Sequence, residues 1–206
     1  SLRRRQRQMC IRDRKVNNLM NTKTKKLSTV SMVLCGMFAA LVAIGAFIQI
    51  PVPYMDYFTL QFFFVLLAGL ILGADKGAIS VGCYVLLGLV GVPIFAAGGG
   101  IGYIFRPSFG YLVGFIVSAY VTGKVCEKLK ASYKNYLLAC LAGFVVTYAI
   151  GIVYKFIILN FYAHTPATLG VIFLSCFPLD MPGDFVLCLL AAGVGLRMRK
   201  SGFYLS

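Results

Sequence analysis

Charge, and acidic charge above all, is scarce in this sequence: 13% of its 206 residues are charged and only six are Asp or Glu. A soluble domain carries about 25% charged and roughly 45–50% apolar residues. Here 60% of residues are hydrophobic and the mean hydropathy is +0.86. An ordinary cytosolic globule and a disordered chain are both excluded.

Catalytic and metal-binding patterns are missing as well. His164 is the single histidine, so a His-based zinc site or proton relay has no second member, and the residue reads as part of a solvated loop. The seven cysteines, at 10, 35, 83, 126, 140, 176 and 188, form no C-x-x-C pair. Most fall in apolar runs where Cys behaves as a small hydrophobe, so neither a disulfide nor a metal is assigned. The run Gly98-Gly99-Gly100-Ile101-Gly102 fails the dinucleotide fingerprint because Tyr103 follows it, and no G-x-x-x-x-G-K-[ST] occurs. Hydrolysis of ATP by a P-loop is therefore excluded. Of the five acids after Asp13, Asp184 alone has a good case for partial burial, so no paired carboxylates or nucleophile constellation emerges. The chain reads as a protein without enzymatic chemistry and without a cofactor.

Basic residues, by contrast, number 20 and give a formal net charge of +14 and a pI near 9.7. Their positions decide what they mean. Ten lie between Arg3 and Lys26, accompanied by Asp13 alone. Residues 1–26 read as a basic tail, for which contact with anionic lipid is one reading. The first 19 lack an initial Met and apolar periodicity, so they read as a cloning-derived leader ahead of a start at Met20.

Beyond the tail, residues 27–200 read as one membrane domain. A helix needs about 20 apolar residues to cross the hydrocarbon. Six runs approach that length: Leu27 to Ile50, closed by Pro51 and Pro53; Tyr57 to Gly73; Gly77 to about Ala97; Phe109 to Gly123; Tyr136 to Asn160; and Asp184 to Leu196. The stretch within 165–178 is too short to span and reads as a surface or re-entrant helix. The expected fold is thus all-α, a bundle of six transmembrane helices with a short non-spanning segment before the last. With both termini in the cytoplasm, 18 of the 20 Lys and Arg fall inside, including Lys76, the 124–134 loop and Arg197, Arg199 and Lys200. That is the positive-inside pattern of a multi-pass cell-membrane protein. It also removes nucleic acid as a partner, because the basic residues act as topology determinants and no aromatic stacking platform accompanies them.

The outer side gathers the remaining polar groups. Ile50 to Gln61, the glycine-rich loop ending in Tyr103-Ile104-Phe105-Arg106-Pro107, and Pro182-Gly183-Asp184 combine aromatic walls with a few donors and acceptors, as small-molecule pockets do. Arg106 is the sole basic residue of the outer loops and is either a solvated interface arginine or a bidentate grip on a ligand carboxylate. Asp184 sits where the last helix begins, either as its N-cap or as an acceptor for a ligand N–H. Lys155, inside the fifth run, snorkels to the outer interface or faces a cavity. Gly36, Ala39, Ala40, Ala43 and Ala46 form a smooth stripe on the first helix, for packing within the bundle or docking to a membrane partner.

These residues together resemble a known family. Pro51-Val-Pro53, Thr59-Leu-Gln61, Gly73 and Gly77, Tyr84-x-x-x-Gly88-x-x-Gly91-x-Pro93-x-Phe95, the Gly98 to Gly102 run, Phe109-Gly110-Tyr111-Leu112-x-Gly114-Phe115 and Pro182-Gly183-Asp184 resemble the biotin transporter substrate-binding components, the BioY family, over Met32 to Arg199. The resemblance implies a six-helix S component of an energy-coupling factor transporter. Such a protein takes biotin from outside and works with an energy-coupling transmembrane protein and two ATPase subunits. It implies biotin contacts from Asp184 and Arg106, with Gln61, Thr59, Tyr84, Phe95, Tyr111 and Lys155 completing the site. Gly36, Ala39, Ala40 and Ala43 become the partner-docking surface. Many members carry Lys three residues after the aspartate; Leu187 stands there in this chain, and Lys155 or Arg106 is expected to take over its role. An S component for another vitamin, or a membrane-embedded enzyme or assembly factor, is the alternative.

Overall fold

A helix that is apolar on every side has only other helices or lipid to face, and the long helices of this chain are of that kind. The computed structural model describes residues 28–50, 58–162, 168–176 and 180–202. Pro51, Pro53 and the rest of 51–57, His164 and the basic tail lie outside them. By contacts the chain divides into Ser1–Val30 and a compact unit, Ser31–Ser206, to which the packing below belongs.

Helix α1 (Thr29–Phe47) buries Cys35, Phe38, Val42 and Ala46 along one face. It leads into β1 (Gln49–Ile50), which pairs antiparallel with β2 (Phe58–Thr59). This ribbon is a small departure from the all-helical expectation. It shortens the second run from the expected Tyr57–Gly73 to α2 (Gln61–Leu72), because the chain before Gln61 is extended and Leu60 N–H donates to Ile48 O at 3.2 Å. Ten of the twelve residues of α2 are buried, which makes it the central post of the bundle. It packs on α3 (Ala74–Leu89), α4 (Phe109–Lys128) and α7 (Asp180–Lys200). Close approach has a sequence cause at Gly69: a Cβ there would lie 2.6 Å from the Ala119 carbonyl oxygen of α4. Gly69→Ala is expected to lower stability by about 1 kcal/mol net, overpacking outweighing alanine's better helix propensity, read as a lower midpoint of thermal unfolding in detergent.

Helix α3 starts three residues earlier than the run from Gly77 suggests and stops at Leu89 rather than near Ala97. Gly91, at φ +116°, turns the chain back, and Gly100 N–H donates to Gly88 O at 2.7 Å, laying the glycine-rich loop over the helix end. A 3-10 turn (Ile101–Phe105) leads to α4, the partner of α5 (Tyr133–Ile157) in the most extensive helix contact. A π turn (Ile158–Tyr162) extends α5. The short segment forms α6 (Leu169–Cys176), eight residues and too short to cross.

Four helices, Thr29–Phe47, Phe109–Lys128, Tyr133–Tyr162 and Asp180–Lys200, are long and apolar enough to cross a membrane; α2 is shorter. The outer faces of these four are apolar, with Val33 66%, Val145 63% and Leu190 54% exposed. No water-facing helix would carry such surfaces in quantity, whereas lipid accepts them. Polar ties gather around the α2–α3 turn and the C-terminal end of α7: Glu127 Oε1 accepts from Ala74 N–H at 2.9 Å, and Arg199 donates to the Tyr136 hydroxyl at 3.0 Å.

Candidate functional site

A cavity of about 120 Å³ lies where β2 and the glycine-rich loop meet the helix ends. Its apolar wall is built from Phe58 of β2, Phe62 of α2 and Leu112 and Phe115 of α4, with Tyr103 from the 3-10 turn. Phe62 and Phe115 stack with ring centres 5.9 Å apart, which fixes the floor. Seven polar side chains besides the tyrosines interrupt this wall: Thr59, Gln61, Arg106, Ser108, Lys155, Asp180 and Asp184.

Helix geometry separates these groups by position. On α7, Asp180 and Asp184 are one turn apart and share a face. On α5, Tyr148 and Lys155 both line the cavity; their seven-residue separation is about 10 Å along the axis at 1.5 Å per residue. The Tyr148 hydroxyl donates to Asp184 Oδ2 at 2.8 Å. Its ring is held by Phe144, 4.7 Å between centres, and by the edge of Tyr111 at 5.8 Å. Asp184 is thus oriented from a neighbouring helix, and Lys155 stands two turns farther toward the C-terminal end of α5.

Gln61 is 3% exposed and lines the cavity; its Nε2 makes no well-formed hydrogen bond to a described residue, with the Tyr84 hydroxyl as its polar neighbour. A buried amide donor left unmet costs about 1–3 kcal/mol, so a ligand carbonyl at this place would be held strongly. Arg106 is exposed, forms no ion pair with a described residue, and carries its guanidinium 5.4 Å from the centre of the Tyr103 ring. Among the described residues no group of three His, Cys, Asp or Glu could hold a metal ion.

The cavity brings together Asp184, Arg106, Gln61, Thr59, Tyr111 and Lys155. Tyr84 and Phe95, also expected in the site, stand behind it. Tyr84 is fully buried and donates to Ile94 O at 3.1 Å, while Phe95 packs edge-on against it over Gly88. Both hold the glycine-rich loop and neither lines the cavity. Asp184 does not cap the last helix either. That helix already includes Asp180, because Pro182 falls in its first turn, where a missing N–H costs nothing. Of the two readings of Lys155, the structure shows the cavity-facing one.

The sequence reading missed Tyr148 and Asp180. Asp180 was open to detection, four residues before Asp184 on the same helical face; Tyr148 was visible only as a tyrosine two turns before Lys155 in an apolar helix. On α1 the small-residue stripe divides. Ala39 is buried in the bundle, Ala43 is half-buried, and Gly36 and Ala40 are exposed, so the outward small surface follows Gly36-x-x-x-Ala40.

The profile of the BioY family matches residues 20–202. The chain is 40% identical over 177 residues to a protein of Lysinibacillus sphaericus named probable biotin transporter BioY, covering 85% of this chain and 90% of that one. It is 38% identical over 173 residues to the biotin transporter BioY of Thermotoga maritima, covering 82% and 95%. Among solved structures it resembles the S-component for biotin from an ECF-type ABC transporter, with a TM-score of 0.74 and 25% identity over 87% of this chain and 94% of that one.

Proposed function

The chain belongs to the BioY family, and on that premise we propose that it is a membrane-embedded biotin-binding component of a biotin uptake system, with no chemistry on its substrate. The observation that carries this reading is the sorting of polar groups in the cavity. One region offers the carboxylates of α7, Asp180 and the oriented Asp184, and the lining adds the buried amide of Gln61. The other offers two cations, Arg106 and Lys155, from the loop before α4 and the outer part of α5.

Biotin has a matching division. Its uncharged cyclic urea has two N–H donors and a carbonyl, and its acyl arm ends in a carboxylate. Asp184 accepts a ureido N–H, Gln61 Nε2 donates to the ureido carbonyl, and Thr59 adds a hydroxyl nearby. Arg106 and Lys155 hold the carboxylate. Tyr111, Tyr103 and Phe115 enclose the ring system and arm, while Tyr84 and Phe95 act through the loop they support. The separation along α5 argues against Lys155 replacing the lysine that many relatives carry where Leu187 stands. Tyr148 supports Asp184 in its place.

In this reading six helices cross the membrane, α2 as the buried centre of the bundle and α3 with Leu86 and Leu87 turned to lipid, and both termini face the cytoplasm. Energy comes from an energy-coupling transmembrane protein with ATPase subunits, docked on the lipid-facing side of α1 around Gly36 and Ala40, with Ala43 at its margin and Ala39 packed beneath. Uptake of labelled biotin by cells deleted for this protein is the functional test. Uptake is expected to fall to background and return on re-expression, and an unchanged rate would contradict the proposal.

A further inference from the structure

Arg106 lacks an ion-pair partner among the described residues, and its guanidinium rests on the Tyr103 ring, 5.4 Å from its centre, a weak hold on a long, exposed cation. The backbone before it is tied to α5 at two points. The Tyr154 hydroxyl donates to the carbonyl oxygen of Ile104, two residues ahead of Arg106. Phe105 stacks on Tyr162 of the π turn, with ring centres 4.9 Å apart and an angle of 21° between planes. The Tyr154 ring also packs against Phe109, 5.8 Å between centres, and crosses α4 at Gly110, where a Cβ would collide with it. Tyr154 directly precedes Lys155. Successive residues on a helix point about 100° apart, so one turn of α5 presents Tyr154 to the loop and Lys155 to the cavity.

We propose that Tyr154 is a positioning residue for carboxylate recognition: by fastening the Ile104–Arg106 backbone to α5, it sets Arg106 and Lys155 as one grip on the acid group of the ligand. The proposal rests on the reading that these two cations hold the carboxylate. It assigns Tyr154 a role without ligand contact, and it explains how two cations from separate elements, each with a flexible side chain, act at one place. Fixing the backbone beneath a long side chain reduces the freedom that binding must remove.

The test compares biotin with biotin methyl ester, which keeps the ring system and loses the charge, by calorimetric titration of the purified full-length protein in detergent. The wild-type protein is expected to bind the ester at least about tenfold more weakly, and Tyr154→Phe to lower biotin affinity about fivefold, the scale of one hydrogen bond, while changing ester affinity less than about twofold. The preference for the free acid then shrinks by about 2.5- to fivefold. Equal losses for both ligands would mark Tyr154 as a general structural support and overturn the proposal, as would an unchanged preference. A wild-type protein indifferent to esterification would instead overturn the carboxylate reading beneath it, and the two failures are thereby distinguished. Phe105→Ala removes a half-exposed ring and its stack without opening the core. It is expected to shrink the same preference by a smaller factor, and it decides the matter should Tyr154→Phe fail to fold; an unchanged preference in Phe105→Ala would then overturn the proposal.

Discussion

Asp184→Asn is expected to weaken biotin binding about 30-fold, a loss of roughly 2 kcal/mol and within the range for a hydrogen bond to a charged group. The carboxylate is an acceptor at both oxygens; one already takes the Tyr148 hydroxyl at 2.8 Å, and the other is the acceptor for a ureido N–H. An asparagine that keeps its oxygen toward Tyr148 turns its NH₂ toward the ligand, where donor meets donor. One that turns the other way leaves the Tyr148 hydroxyl facing an amide. Either arrangement loses a charge-assisted bond, and such bonds are roughly twice as strong as neutral ones. Asn is nearly isosteric with Asp and the position is half-buried, so the fold should persist, with the unfolding midpoint in detergent as the control. Binding within about twofold of wild type, under roughly 0.4 kcal/mol, would remove Asp184 from the site.

Arg106→Ala is expected to cost about 20-fold in biotin affinity by calorimetry, the scale of one charge-assisted pair. The effect should fall on the acid alone, with biotin methyl ester losing no more than about twofold. Stability gives an independent check. Arg106 is exposed and its contacts are a ring face and the loop backbone, so the substitution should leave the unfolding free energy within about 0.5 kcal/mol. Retained affinity for biotin would leave Lys155 as the only cation lining the cavity among the described residues and would refute the paired grip.

Much of the bundle was legible because lipid imposes a simple rule. Apolar runs bounded by Pro, Gly and Lys marked the helices, and the 11-residue apolar stretch from Leu169 to Leu179, of which α6 takes up eight, was visibly too short to cross. The errors came where tertiary context overrides composition. Phe58 and Thr59 read as the start of a helix because they are apolar or neutral, yet they pair with Gln49 and Ile50. Hydropathy alone does not separate a strand from a helix over a few residues. Pro182 and Gly183 read as punctuation before a helix, although proline is tolerated in a first turn. The site was legible as a set of residue types and less so as a geometry. Asp184 and Arg106 stood out as charges in apolar surroundings. Whether Lys155 faced the cavity depended on the rotation of α5, which is set by its packing against α4. Tyr84, Phe95 and Gly88 belong to a motif that reads as functional, but Phe95 lies over the bare Cα of Gly88, so the motif shapes the loop carrying Arg106. Tyr148 and Tyr154 were illegible for one reason: a tyrosine in an apolar helix shows its role only through the partner of its hydroxyl.

Titration of the purified protein with biotin, repeated in the presence of desthiobiotin, thiamine or riboflavin, tests the central claim most directly. The account predicts saturable binding of one biotin per chain, displaced by desthiobiotin, which keeps the cyclic urea and the acid, and unaffected by the other two vitamins. Absence of saturable biotin binding, or displacement by thiamine or riboflavin as effective as that by desthiobiotin, would contradict it.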